Sequence, residues 1–329
     1  FYCRYKLGIQ LHFRRFRWNL LKEISVYSFW IFLSVIMDRI YWNTGQFVLG
    51  MYGGTAAIAV FAVAIQLSVL YMSFSTSISG VFLPKVTAMV TSQSDSKEIS
   101  DLFIRTGRIQ YIVMAFILSG FVVFGRPFIR LWAGVDYESA YWMSILFFVS
   151  LTIPMIQNLG ITILQARNRM KFRSLLYLVI AFVSLYFQFV LAKRYGGLGC
   201  AIAISAALLV GQGLIMNVYY HRRQGLDLLL FWKEIGRMSV VPLVLGVSAL
   251  WLLGDIVWEN WFQLGLAIGV YTLVYLPLFF HYSIYINSIK TISQSAGYGL
   301  NNTKHMVCKT LQRRLKIPVT VSSMKLVIS

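Results

Sequence analysis

Four side chains that could do chemistry stand close together in an otherwise apolar stretch: Asp38, Arg39, Asn43 and Gln46, within SFWIFLSVIMDRIYWNTGQFVLG (Ser28–Gly50). The stretch is long and apolar enough to be a membrane helix, for which about 20 residues span a hydrocarbon core of roughly 30 Å. Ionisable groups at that depth are costly and normally face a partner helix or a wet cavity. At helical spacing Arg39, Asn43 and Gln46 (i, i+4, i+7) share one face, with Asp38 beside it. Two readings follow: an ion pair that locks two helices together, or the wall of a hydrophilic translocation path.

Further polar residues recur along the chain. Gln66, Ser73, Ser77 and Gly80 form a stripe at i, i+7, i+11 and i+14, which helix packing alone could also explain. Pro154 stands before Gln157, Asn158, Thr162 and Gln165, and Asn158, Thr162 and Gln165 share a face. Pro154 predicts a kinked or interrupted helix, and broken helices lined by amides are places where transporters handle substrate. A kink satisfied by its neighbours is the competing reading. Ser184 and Gln188 lie four apart, and Gln212 and Asn217 interrupt small and apolar residues. No GxxxxGK[ST], HExxH or GxSxG occurs, so no motif supports an enzyme. The acids Asp136, Glu138, Asp255 and Glu259 read as ordinary loop residues flanking spans. Cys3, Cys200 and Cys308 are far apart without CxxC, and the four histidines are scattered, so no metal, cofactor or disulfide framework is expected.

The elements that must position these residues are membrane helices. The chain is 58% hydrophobic with 12% charged residues and a mean hydropathy of +0.69, against about 25% charged in soluble domains. Eight spans are predicted: Ser25–Gly50, Thr55–Leu83, Gly107–Gly125, Trp142–Gln165, Leu175–Ala192, Leu198–Tyr220, Met238–Trp258 and Leu264–Tyr285. The net charge of +19 follows topology: 25 of the 30 Lys and Arg fall in the N-terminal segment, the second, fourth and sixth connections and the tail, and four fall in the other turns. That asymmetry places both termini in the cytoplasm by the positive-inside rule. It also removes the case for nucleic acid, since no recognition motif accompanies the charge. Trp132, Trp142, Trp258 and Trp261 fall at the outer boundary, and Trp18 and Trp232 at the inner one, as in an interfacial belt.

The expected organisation is a basic interfacial segment over 1–23, a six-helix lobe over 24–220, an amphipathic cytoplasmic linker over 221–237, two peripheral helices over 238–287 and a basic tail over 288–329. The first, second, fourth, fifth and sixth spans each carry Gln or Asn, and the first adds charges, whereas the last two are apolar nearly all round and would face lipid. This division favours a transporter over a bundle that serves only as an anchor.

The order of SFWIFLSVIMDRIYWNTGQFVLG, ILQARNRMKFRS and YGGLGCAIAISAALLVGQGLIMNVYYHRRQGLDLLLFW resembles bacterial polysaccharide and O-antigen flippases of the multidrug/oligosaccharidyl-lipid/polysaccharide exporter superfamily, over about Leu7 to Tyr285. The resemblance implies an all-α integral membrane fold, in which this chain supplies helices seven to fourteen of a two-lobe, fourteen-helix transporter. A first lobe preceding Phe1, or a second chain, would then complete the cavity. It implies alternating-access translocation of an undecaprenyl-diphosphate-linked oligosaccharide across the bacterial cytoplasmic membrane, with Arg39 attracting the diphosphate and Asp38 as its partner or as an ion-coupling acid. The chain departs from its relatives at Gly45 and Gln46, where they commonly carry an acidic–basic pair. The substrate path expected from all of this comprises Asp38, Arg39, Asn43, Gln46, Gln66, Asn158, Gln165, Gln188 and Gln212. The rival reading within the superfamily is a proton- or sodium-coupled drug or cation antiporter, and an enzyme of envelope assembly is a third.

Overall fold

The computed structural model describes residues 18–92, 95–254, 256, 258, 260–279 and 281–282. Residues 1–17, the tail expected at 288–329, Cys3, Cys308 and the loop acids Asp255 and Glu259 lie outside them. The chain divides into two compact units, residues 1–269 and 270–329, and the packing and cavity described below lie in the first.

The described residues form helices without strands: α1 (Trp18–Tyr52), α2 (Gly54–Thr91), α3 (Ser96–Trp132), α4 (Ala140–Ile156), α5 (Leu159–Ala166), α6 (Lys171–Leu208), a π-helical turn (Leu209–Ile215), α7 (Met216–Gln224), α8 (Leu228–Met238), α9 (Val240–Leu253) and α10 (Trp261–Phe279). Six helices are long and apolar enough to cross a membrane, and seven with the bent pair α4–α5 counted as one span. The eight expected spans are reached because the continuous helical segment Lys171–Gln224, 54 residues long, supplies two of them. Straight, it would extend about 80 Å at 1.5 Å per residue, far beyond a bilayer core.

Gly196 divides that segment. Its φ of 54° and ψ of −131° are open to glycine and costly for residues with a Cβ. The chain folds back there, so that a Cβ on Gly199 would meet the Leu191 carbonyl oxygen and come within 3.1 Å of the Ala192 nitrogen, and one on Gly211 would meet Ile180. The two arms therefore run antiparallel. Gly199→Ala would press a methyl group against backbone that cannot rotate away. It is expected to destabilise the protein by about 2–3 kcal/mol, read as a lowered unfolding midpoint in detergent; an unchanged midpoint would contradict the hairpin.

α1 lies parallel to the first arm of α6. Ser34 and Ser174 are paired through their hydroxyls at 2.7 Å, and Gln188 Nε2 donates to Thr44 Oγ1 at 3.4 Å. Tyr41 donates to the Ile204 carbonyl on the second arm. Side-chain to backbone bonds and close van der Waals packing are what hold helices together in lipid, where burial of apolar surface drives little. Aromatic pairs fill the centre: Phe61 on Phe147 edge to face at 5.9 Å, and Tyr71 stacked on Phe148 at 4.2 Å. Each such pair is worth about 0.5–1.5 kcal/mol beyond its area.

The interruption predicted from Pro154 is present but displaced. Pro154 stays inside α4, and the 43° bend falls at Gln157–Asn158. Side chains satisfy the disturbed backbone: Ser75 Oγ donates to the Met155 carbonyl at 2.6 Å. On the α3–α4 connection, Glu138 receives both Arg126 (3.3 Å) and Arg130 (3.6 Å), and Arg126 also lies over the Tyr141 ring at 5.5 Å. The half-exposed setting keeps those ion pairs small in energy. α9 packs along α3, where Tyr111 donates to Ser239 Oγ at 2.6 Å, and turns Leu243, Val247 and Trp251 outward.

Candidate functional site

A cavity of about 240 Å³ opens between α1, α2, α4, α5 and the start of α6. Its α1 wall is Ile31, Ser34, Val35, Asp38 and Trp42, the i, i+3, i+4, i+7, i+11 face of that helix. Thr76 comes from α2, Asn158 and Gln165 from either side of the bent pair, and Arg173 and Tyr177 from the first turns of α6. The lining reaches Met170, so the cavity lies toward the end of the bundle that carries the basic turn Arg167–Arg173.

Arg173 is the chemical centre of this space. It is 9% exposed, its guanidinium lies 4.4 Å from the centroid of the Tyr177 ring, and its buried Nε has no hydrogen-bond partner. Asp38 acts on it electrostatically across the cavity. The ion pairs within 4.0 Å among the described residues belong to Glu138 and Glu234, and Asp38 is in none of them. Gln212, in the π-helical turn, is 5% exposed with its Nε2 also without a hydrogen-bond partner, and both it and Arg173 lie near Tyr177. Two buried donors without acceptors, one of them cationic, therefore converge on one tyrosine near the positive end of α6. Desolvated donors of this kind are costly until an acceptor arrives, and a helix N-terminus favours negative charge. Chemically the arrangement can take up an anion.

The residues singled out from sequence divide into three groups. Asp38, Asn158 and Gln165 line the cavity; Gln212 does not, and lies near the lining residue Tyr177. Arg39, Asn43 and Gln46 do not line the cavity. Their face is turned about a quarter of a circle from the Asp38–Trp42 face, Arg39 and Asn43 are exposed, and Asn43 Nδ2 donates to the Arg39 carbonyl at 2.7 Å. Gln66, with Ser73, Ser77 and Gly80, is likewise exposed on α2, and the hydroxyls of Ser73 and Ser77 bond their own helix. Gln188 is wholly buried between α1 and α6, donating to Ser184 Oγ at 3.0 Å. Gly45 lies against it, a position where a Cβ would be 2.6 Å from the Phe61 ring.

Arg173 was hidden in sequence by its neighbours. In Arg167, Arg169, Lys171 and Arg173 every charge is accounted for by topology, and nothing marks the last as different except phase. Arg173, Tyr177, Ser184 and Gln188 fall on one face of α6 at i, i+4, i+11 and i+15.

Residues 1–142 match the model of a family described as polysaccharide biosynthesis protein, covering α1 to α3 and the first residues of α4. The resemblance read from the sequence is borne out over that part, and the match points to a role in polysaccharide synthesis or export. No curated protein and no solved structure gives a significant match.

Proposed function

From the family match and the cavity together, we propose that this multi-pass membrane protein is a flippase for a lipid-linked oligosaccharide, moving it across the bacterial cytoplasmic membrane by alternating access. The observation that carries the reading is Arg173, a buried guanidinium with an unpartnered Nε facing a cavity. Its place as the cation for a diphosphate head group is better supported than that of Arg39, which lies on an exposed face. At about 240 Å³ the cavity is below the roughly 300–1,000 Å³ of ordinary ligand pockets. A diphosphate fits and an oligosaccharide does not, so in this state the site grips the head group while the glycan lies outside it or awaits a wider opening. The charge asymmetry of the loops supports a cytoplasmic position for both termini and for the cavity's basic end, the side on which such a lipid is built. The protein acts as a transporter rather than as an enzyme.

Asp38 in the cavity wall favours a second reading, a cation antiporter in which that acid carries the proton or sodium ion. One experiment separates them. Protein reconstituted in proteoliposomes is expected to exchange a fluorescent prenyl-diphosphate oligosaccharide between leaflets, with no ion-driven efflux of a cationic dye. Dye efflux without lipid exchange would overturn the flippase reading in favour of the antiporter.

A further inference from the structure

Asn217 lies in the first turn of α7, immediately after the π-helical turn Leu209–Ile215. A π turn closes its hydrogen bonds one residue later than an α turn, which disturbs the carbonyl ladder and shifts the side chains around it. The Asn217 amide repairs that ladder: Nδ2 donates to the Gly213 carbonyl at 2.5 Å and to the Gln212 carbonyl at 3.4 Å. Its Oδ1 accepts from two other elements, Gln157 Nε2 at 2.8 Å and Trp232 Nε1 at 2.9 Å. An asparagine side chain has two donor hydrogens and two acceptor sites, and here all four are engaged.

Three of the four partners belong to different parts of the bundle. Gln157 is buried at the break between α4 and α5, next to Asn158 in the cavity wall. Gln212 lies near Tyr177 with its own Nε2 without a hydrogen-bond partner. Trp232 belongs to α8, whose other faces are tightly seated: Phe231 and Ile156 O lie against Gly107, where a Cβ would be 2.8 Å from that carbonyl, and Asp227 caps the helix by accepting from the Leu230 N–H at 3.0 Å. α8 is also the amphipathic segment, with Leu229, Leu230, Lys233 and Arg237 exposed.

We infer that Asn217 is a positioning residue for the cavity: it holds the broken wall segment Gln157–Asn158 in register with the π-helical turn Leu209–Ile215, which directly follows the lining residue Leu208, and ties both to α8. It touches no substrate. It sets where Gln212 and Asn158 stand relative to Arg173, so any movement of α8 against the bundle is transmitted to both walls at once. The inference rests on the reading of the cavity as an anion site, and its test has one arm that does not.

The test compares Trp232→Phe and Asn217→Asp with the parent protein in detergent. Trp232→Phe keeps the ring and removes one donor. Asn217→Asp keeps both acceptor positions and loses both donors. Hydrogen exchange of backbone amides is followed by peptide, and binding of farnesyl diphosphate is measured by calorimetry. Trp232→Phe is expected to speed exchange in residues 155–160 and 209–217 together. It should weaken farnesyl diphosphate binding about three- to tenfold, the scale of one hydrogen bond, at an unchanged unfolding midpoint; Asn217→Asp should do the same or more. Should Asn217→Asp fail to fold, Trp232→Phe carries the test. Faster exchange confined to residues 228–238, or loosening of one wall without the other, overturns the inference. So does an unchanged Kd when both walls have loosened. If the parent protein binds no farnesyl diphosphate, the anion reading falls, and linked or unlinked loosening of the walls still decides the role of Asn217.

Discussion

Arg173→Gln is expected to weaken binding of a prenyl diphosphate about 10- to 100-fold and to abolish measurable leaflet exchange, while leaving the protein as stable as before or more so. The affinity loss corresponds to one charge-assisted hydrogen bond, about 1.5–3 kcal/mol, made where water is largely excluded. The stability half follows from the same geometry. Arg173 is nine-tenths buried and its Nε has no partner, so the folded chain carries a desolvation cost that its own side chains do not repay. Replacing the guanidinium by a neutral amide removes that cost, the usual sign of a group held for function rather than for folding. Arg173→Lys keeps the charge but loses the planar fork that matches phosphate oxygens, and should fall between the two. Arg39→Gln is the control: on its exposed face it should leave diphosphate affinity within about twofold. Calorimetry gives the affinities and thermal unfolding gives the stabilities. Equal losses from Arg39→Gln and Arg173→Gln, or a lowered midpoint in Arg173→Gln, would sink the assignment.

The contrast between Arg39 and Arg173 also marks how far the sequence reaches. Periodicity and charge asymmetry made the spans, their connections and an interrupted fourth helix legible. The reversal at Gly196 was legible as the short gap between the spans predicted at Leu175–Ala192 and Leu198–Tyr220. Periodicity also groups residues into faces, so Arg39, Asn43 and Gln46 were correctly seen as one stripe. It does not say which stripe meets a neighbour. That depends on how α1 is rotated against α6, and the rotation is set by contacts between residues more than a hundred positions apart, Ser34 with Ser174 and Thr44 with Gln188. Asp38 reached the cavity because it lies on the neighbouring face, with Ser34 and Trp42. Arg173 escaped notice because a topological explanation for its charge was already complete. Trp232 was read as a member of the interfacial belt, and its N–H instead donates to Asn217 inside the bundle; a tryptophan at a membrane boundary looks the same in sequence whichever way its indole nitrogen points. The bend fell three residues after Pro154, at the point where Ser75 and Asn217 offer bonding partners to Met155 and Gln157.

Asp38→Asn is expected to have the opposite effect on binding from Arg173→Gln and the same effect on transport. Asp38 lines the same cavity as Arg173 and acts on it electrostatically without a direct ion pair. An incoming diphosphate brings negative charge into the same space, and the carboxylate opposes it. Asp38 is itself exposed at the cavity wall, where removing one such opposing charge is worth about 0.5–1 kcal/mol, so Asp38→Asn should tighten farnesyl diphosphate binding about two- to fivefold. Tight binding on one side is a handicap for a carrier, which must also release; exchange should slow even as affinity rises. The mechanism predicts a coupling as well. In the Arg173→Gln background the Asp38→Asn substitution should change affinity far less, because the cation that holds the anion near Asp38 is gone, and a double-mutant cycle on the Kd values measures this directly. If Asp38→Asn instead leaves diphosphate binding untouched and abolishes ion-driven dye efflux, the acid serves a cation rather than restraining an anion. The cavity would then belong to an antiporter.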